Sequence, residues 1–263
     1  MQEGFPMNII LTNDDGVHAQ GLQTLHQSLL KGEHQVTIVA PSSQRSAASR
    51  SFTLHFPYDL KTLSPNIFAT GGTPADCVML ALELNRHPDV ILSGVNHGAN
   101  VGADTEYSGT VGAALEGAKH GIPAFSLSLA ALDPSPALLA QCGLLAERWI
   151  EAGIVLATTP GTVVNINFPA VSAISTARLA VLELASHGYY DNVPVVSADG
   201  TQVEVVQHAS SESFAQGTDG WGIKAGYITL SVLVSQHASG LTQRAEMRLR
   251  EWVEKWNSAM GVL

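Results

Sequence analysis

Short apolar runs alternate with segments of helical period along the first two-thirds of this chain, and few folds accommodate that rhythm. Residues 9–12, 36–40 and 90–92 are uninterrupted strand-like runs, each closed by turn or polar residues. Leu22, Leu25 and Leu29 recur at helical spacing until Gly32. Thr73-Pro74 opens a second helix, with an N-cap threonine and proline at the first position, that runs to Asn85. Ser108 caps a third over residues 110–120, with Gly121 just past its end. Residues 124–129 and 163–168 read as further strands around a helix over about residues 137–152. Strands without polar alternation are buried on both faces, so the expected fold is α/β: a Rossmann-like, doubly wound, mostly parallel sheet.

After about residue 170 the rhythm changes. Residues 176–184 and 203–206 are β-like and flank a Gly/Ser-rich region containing Tyr189 and Tyr190; residues 227–234 form another strand, and a helix over about 242–256 closes the chain. We read residues 1–170 as the catalytic core and 171–263 as a C-terminal β/α extension that is not an autonomous domain. No tandem repeat is present, and 263 residues suffice for a sizeable core.

Composition narrows the function. A net charge of −10 with only 13 Lys plus Arg argues against binding a nucleic-acid polymer, which depends on clustered cations. Any phosphate site here must lean on a metal ion and backbone N–H groups. Cys77 and Cys142 lack CxxC or Cys/His zinc spacing and lie in helix-like apolar stretches, as small buried hydrophobes do. Residues 1–6 carry no basic or apolar leader, and no apolar run approaches membrane-spanning length. A soluble, cytoplasmic protein without a membrane partner is the expectation.

Four polar clusters fall at the carboxyl ends of the expected strands, where open α/β sheets bind ligands. Asn13-Asp14-Asp15-Gly16 follows the first strand; adjacent carboxylates repel unless a cation neutralises them, and oxygen ligands suit Mg²⁺ or Mn²⁺. Residues 40–46, after the second, supply hydroxyls and Arg45. Residues 93–100, after the third, bring glycines that allow close backbone approach and the neutral oxygen of Asn96. Ser108-Gly109-Thr110 begins a helix, where free N–H groups and the helix dipole favour an anion. A divalent ion beside a phosphate cradle polarises a phosphoryl oxygen and lowers the pKa of water, so phosphate-ester hydrolysis is the simplest reading. No GxGxxG follows a strand and no GxxxxGK[ST] occurs, which removes dinucleotide oxidoreductases and P-loop NTPases. A metal-dependent nucleotide-sugar transferase lacks a second donor-binding element.

The phrases NIILTNDDGVHAQGLQTL, VAPSSQRSAAS, TGGTPADC, ILSGVNHGANVGADTEYSGTVGAALEGA and VNINFP resemble the SurE (stationary-phase survival) family of nucleotidases over about residues 7–170. The resemblance implies a metal-dependent phosphatase acting on nucleoside monophosphates, with one divalent cation per subunit. It implies metal ligands at Asp14, Asp15, Ser46 and Asn96, with Ser46 rather than Ser42 or Ser43 as the matching hydroxyl. It also implies a C-terminal extension exchanged between subunits of a homodimer or homotetramer. The candidate catalytic residues are Asp14, Asn96 and Asp104, which matches an acidic position of the family. The substrate-binding candidates are Asn13, Ser108, Gly109 and Thr110. His97, beside Asn96, is expected to be a surface or hydrogen-bonding histidine, Glu106 solvent-facing, and Thr73 and Asp76 helix-capping.

The chain also departs from the family. Ala99 stands where proline is usual, Arg178 is isolated where many members have an arginine-rich phrase, and no histidine follows Gly226-Tyr227 at the family's late position. His237 lies nearby in sequence. These departures leave a non-catalytic metal- and nucleotide-binding regulatory module as the alternative to the nucleotidase.

Overall fold

The computed structural model describes residues 6–210, 212–235 and 240–261. His237 lies outside the described residues. The chain runs β1 (Asn8–Thr12), α1 (Gln20–Lys31), β2 (Gln35–Pro41), β3 (Leu60–Ser64), β4 (Ile67–Thr70), α2 (Pro74–Leu84) and β5 (Val90–His97). It continues with α3 (Asp104–Tyr107), α4 (Gly109–Lys119), β6 (Ala124–Leu129), α5 (Pro136–Glu151), β7 (Thr162–Phe168) and β8 (Leu179–Val181). A ribbon of β9 (Tyr190–Val196) and β10 (Val203–Ala209), then α6 (Asp219–Lys224), β11 (Ile228–Val234) and α7 (Leu241–Ala259) complete it.

Nine strands form one sheet in the order β3-β4-β2-β1-β5-β6-β7-β11-β8. Neighbours from β4 through β7 run parallel, as do β11 and β8, whereas β3/β4 and β11/β7 are antiparallel. β1, β2, β6 and β7 are buried throughout or nearly so, including Ser126 and Ser128 of β6 and Asn165 and Asn167 of β7, because helices cover both faces of the sheet. On one face Leu22, Leu25 and Leu29 of α1, Leu139, Leu145 and Trp149 of α5, and Leu249 and Val253 of α7 form the larger core cluster. On the other, Val78 and Ala81 of α2 and Ala113, Ala114 and Ala118 of α4 pack on Ile10, Val39 and Ile91. Small residues on α4 let that helix lie close to the sheet. Cys77 and Cys142 are buried and free, one on each face.

The expected strand over residues 176–184 is shorter than its sequence indicates. A 3₁₀ turn occupies Ile174–Thr176, and only β8 pairs with β11. β8 is the outermost strand; beyond it Glu183 bridges to Thr218 instead of extending the ladder. Three strands and two helices were not expected, the second helix being the four-residue α3. β3 and β4 are short and partly polar, β9 carries Pro194, and α6 is six residues long. Proline is tolerated in β9 because the ribbon has only two strands. Late in sequence, β11 nonetheless inserts between β7 and β8, and α7 packs on this sheet within the same chain.

Candidate active site

The carboxyl ends of β1, β2 and β5 converge on one edge, because parallel strands point the same way. The turn after β1 is held internally: Asn13 Nδ2 donates to Gly16 O at 2.9 Å and Gly16 N–H to Asn13 Oδ1 at 3.2 Å. Asn13 is fully buried, and both polar ends of its amide serve the turn that presents Asp14 and Asp15. The loop after β2 is tied to that turn through Arg45 N–H, which donates to Asp14 O at 2.7 Å. Ser46 follows on this loop, where Gln44 Nε2 donates to its hydroxyl at 2.9 Å. Farther along, the Arg50 guanidinium meets the fully buried Glu116 of α4 at 2.8 Å, clamping the loop to the helix.

Asp14 is 5% exposed and lies against the first turn of α4, where the Thr110 hydroxyl donates to its Oδ1. Gly109 permits this approach: a Cβ there would lie 2.8 Å from Asp14 Cβ and 3.1 Å from Pro74 Cγ. Burial raises the Asp14 carboxyl to about 6; the Thr110 bond works against that rise, and the neighbouring Asp15 charge adds to it. Burial also raises Asp15, which accepts a 3.4 Å contact from His97 N–H. Thr110 thus spends its hydroxyl on Asp14, and the Ser108 hydroxyl caps α4 by accepting from Val111 N–H at 3.2 Å. The Ser108 O–H proton and the Gly109 N–H are the donors this first turn has left for an anion.

Asn96 sits where β5 bulges against β6. Its Nδ2 donates to Gly98 O at 3.0 Å, which leaves the side-chain oxygen as an acceptor available to a ligand. Behind it lies a buried polar ladder that sequence reading missed. Asn100 N–H donates to Asn167 Oδ1 at 2.8 Å, Asn100 Nδ2 to Ser128 Oγ at 2.8 Å, and the amides of Asn165 and Asn167 to Asn100 O. Such a satisfied network fixes the 96–100 loop against two strands, β6 and β7. The alternation of Asn165 and Asn167 in VNINFP was the available signal; their partners depend on register.

Asp104 opens α3, and its Oδ2 accepts Tyr189 N–H at 2.6 Å. Burial raises its carboxyl to about 6 against the lowering effect of the Tyr189 and Tyr190 N–H groups, with the Asp219 charge raising it further. Glu106 is exposed, and Thr73 and Asp76 form a capping box at α2. His97 is partly buried, with Nε2 lacking a partner.

Asp14, Ser46, Asn96, Asp104 and Ser108 line one open cavity of about 560 Å³. Asn13, Asp15, Gly109 and Thr110 are not among the residues that line it and adjoin it through Asp14, Ser108 and His97. The ribbon also contributes to the wall, with Tyr190, Asn192, Pro194, Val205 and Gln207; sequence reading had assigned these residues no part.

The donor set of Asp14, Asp15, Ser46 and Asn96 suits a hard cation, since every candidate atom is an oxygen. The loop's own cations are committed elsewhere: Arg45 donates to Gly71 O at 2.7 Å and Arg50 pairs with Glu116. Among the described residues no ion pair reaches Asp14 or Asp15, and no three His, Cys, Asp or Glu side chains converge as a metal cluster. Two carboxylates and two neutral oxygens are therefore the whole of the candidate set.

Comparison with known proteins bears on this geometry. The family model described as Survival protein SurE matches residues 9–192. A protein of Crocosphaera subtropica named 5'-nucleotidase SurE is 32% identical, over 95% of this chain and 96% of its own length. One of the same name from Vibrio campbellii is 36% identical over 87% of this chain and 88% of its own. The crystal structure of a SurE protein from Aquifex aeolicus superposes with a TM-score of 0.75 at 26% identity, covering 88% of this chain and 95% of that one.

Proposed function

The chain belongs to the SurE family, and we propose that it is a phosphoric monoester hydrolase that converts nucleoside monophosphates to nucleoside and phosphate. Its relatives are named 5'-nucleotidases, and action on 5'-phosphates, with 3'-phosphates as further substrates, is the reading we adopt. One observation carries it: the Asp14 carboxylate, the Ser46 hydroxyl and the Asn96 amide line a single cavity with Ser108 at a helix start. Asp14, Asp15, Ser46 and Asn96 would hold one divalent cation per subunit, Mg²⁺ or Mn²⁺. When bound, that ion supplies charge neutralisation and polarisation at the phosphoryl group.

The remaining steps belong to side chains. Thr110 orients the Asp14 carboxylate, and Asn13 holds the turn that carries it. Ser108 O–H and Gly109 N–H, at the positive end of α4, donate to the phosphate oxygens, in a chain with few basic residues to do so. Negative charge develops on the leaving nucleoside oxygen, which needs a proton. Asp104 is our candidate to supply it or to position the attacking water. With its carboxyl near 6, about a tenth of the molecules carry that proton at neutral pH, against about a thousandth for an ordinary aspartate.

We further propose that residues 171–263 are an extension of the 1–170 core and pack on a neighbouring subunit in a homodimer or homotetramer, partly by exchange. The support is the ribbon, whose Val193 and Val195, on the face opposite Asn192 and Pro194, are 43% and 47% exposed. A light-scattering mass of a single 27.7 kDa chain at micromolar concentration would refute this. A cytoplasmic location is proposed as well; among the described residues no helix is long and apolar enough to cross a membrane. The activity is tested by phosphate release from a panel of nucleoside monophosphates, with Mn²⁺ or Mg²⁺ restored after chelation. Release that needs the metal is expected; no release from any member would overturn the reading.

A further inference from the structure

One face of the β9–β10 ribbon is turned toward the cavity. Antiparallel pairing sets Tyr190 opposite Ala209, Asn192 opposite Gln207 and Pro194 opposite Val205. Side chains two residues apart share a face of a strand, and Tyr190, Asn192, Pro194, Val205 and Gln207 all line the cavity. The first of these cross-strand pairs lies against the loop that carries Asn96: the Tyr190 hydroxyl is 3.5 Å from where a Cβ on Gly98 would stand. The next pair along is two carboxamides, followed by an apolar pair.

The carboxamides are joined, with Gln207 Nε2 donating to Asn192 Oδ1 at 3.0 Å. That bond leaves one free donor group, the Asn192 NH₂, beside one free acceptor, the Gln207 carbonyl. A donor beside an acceptor is the complement of a nucleobase edge, and each of the four bases presents such a pair on its Watson–Crick side. Turning both amides over reverses the order of donor and acceptor at little cost, so the pair adapts to edges of either polarity. The group is uncharged, adds no repulsion to a phosphate, and is followed by Pro194 and Val205, against which a flat ring can lie.

We propose that Asn192 and Gln207 form the element by which this site recognises the base of its substrate, accepting any of the four nucleobases rather than selecting one. The inference rests on the nucleotidase reading and deepens it. It makes the ribbon a specificity element and gives base-bearing phosphates an advantage over base-free ones.

The test compares kcat/KM for AMP, GMP, CMP and UMP with that for ribose 5-phosphate, using the metal-loaded full-length protein and its N192A/Q207A variant. In the wild type all four nucleotides should exceed ribose 5-phosphate. In the variant that ratio should fall about ten-fold for each base, the effect of two lost neutral hydrogen bonds. A ratio that does not change overturns the proposal, as does an equal loss on ribose 5-phosphate, which would mark the pair as a support of the ribbon. A ten-fold loss confined to one base would also overturn it, by showing a selective reader. If the wild type cleaves ribose 5-phosphate as well as the nucleotides, base recognition fails while the phosphatase reading stands. If it cleaves none of them, the phosphatase reading fails and takes this inference with it.

Discussion

Replacing Asp14 by asparagine should abolish activity and yet make the chelated protein more stable. Asp14 is 5% exposed, and burial raises its carboxyl from 3.8 to about 6. Between those values the folded state binds a proton that the unfolded chain has released, so stability falls as pH rises from about 4 to 6 and then levels off. At about 1.36 kcal/mol per pH unit the gap amounts to roughly 3 kcal/mol of destabilisation above pH 6. Asparagine is isosteric, removes the charge and keeps an oxygen for Thr110. The weaker bond from that hydroxyl gives back about 1 kcal/mol, which leaves a net gain of about 2 kcal/mol. For a chain of this size the gain corresponds to a rise in Tm of about 4–8 °C. Thermal unfolding of chelated wild type and D14N at pH 4 and 7.5 measures it, and the advantage should be present at 7.5 and lost at 4. Added Mn²⁺ should raise the wild-type Tm and leave D14N unmoved. A D14N protein no more stable than wild type at pH 7.5, or an advantage equal at both pH values, would refute the reasoning.

Three further substitutions probe neighbouring parts of the site. Gly109→Ala forces a Cβ to within 2.8 Å of Asp14 Cβ, so Mn²⁺ affinity and turnover should both drop about ten-fold or more; a change confined to KM in steady-state kinetics would contradict that. Asp104→Asn keeps an acceptor for Tyr189 N–H but cannot donate its proton, so turnover should fall by roughly 10²-fold. Wild-type kcat should decline above about pH 6, where Asp104 ionises, and the variant should lose that limb; matching pH profiles would remove Asp104 from the chemistry. Ala47, at φ 57°, occupies left-handed backbone beside Ser46, and Ala47→Gly should stabilise the fold by about 1 kcal/mol in urea unfolding. An unchanged midpoint would show the loop to be unstrained there.

Much of the core was legible because its strands are buried on both faces, which leaves apolar runs in β1, β2 and the first half of β5. The capping signals of Thr73-Pro74 and Ser108 marked α2 and α4 for the same local reason. What stayed hidden depends on pairing rather than on local pattern. β3 is almost wholly exposed, so no apolar period announces it. β9, mostly exposed and carrying Pro194, likewise shows no buried apolar run, and it is accommodated because the ribbon sits outside the main sheet. At the site, Asp14 and Asp15 could be named from a strand end alone, whereas Ser46, among the hydroxyls of its loop, and Asp104 were named through the family resemblance. That Thr110 serves Asp14, or that Asp219 gathers the Gly102, Ala185 and Gly220 N–H groups beneath the Asp104 loop, required three-dimensional contacts far apart in sequence.

The central claim is that two carboxylates, a hydroxyl and an amide oxygen form one cation site on which phosphate release depends. Its most direct test is a Mn²⁺ titration of chelated protein, followed by metal binding and by phosphate release from AMP in the same samples. The account predicts one high-affinity ion per chain, activity rising in parallel with its binding, and both lost in D14N and weakened in N96A. Full activity in the chelated protein, or Mn²⁺ binding that D14N and N96A leave intact, would contradict it.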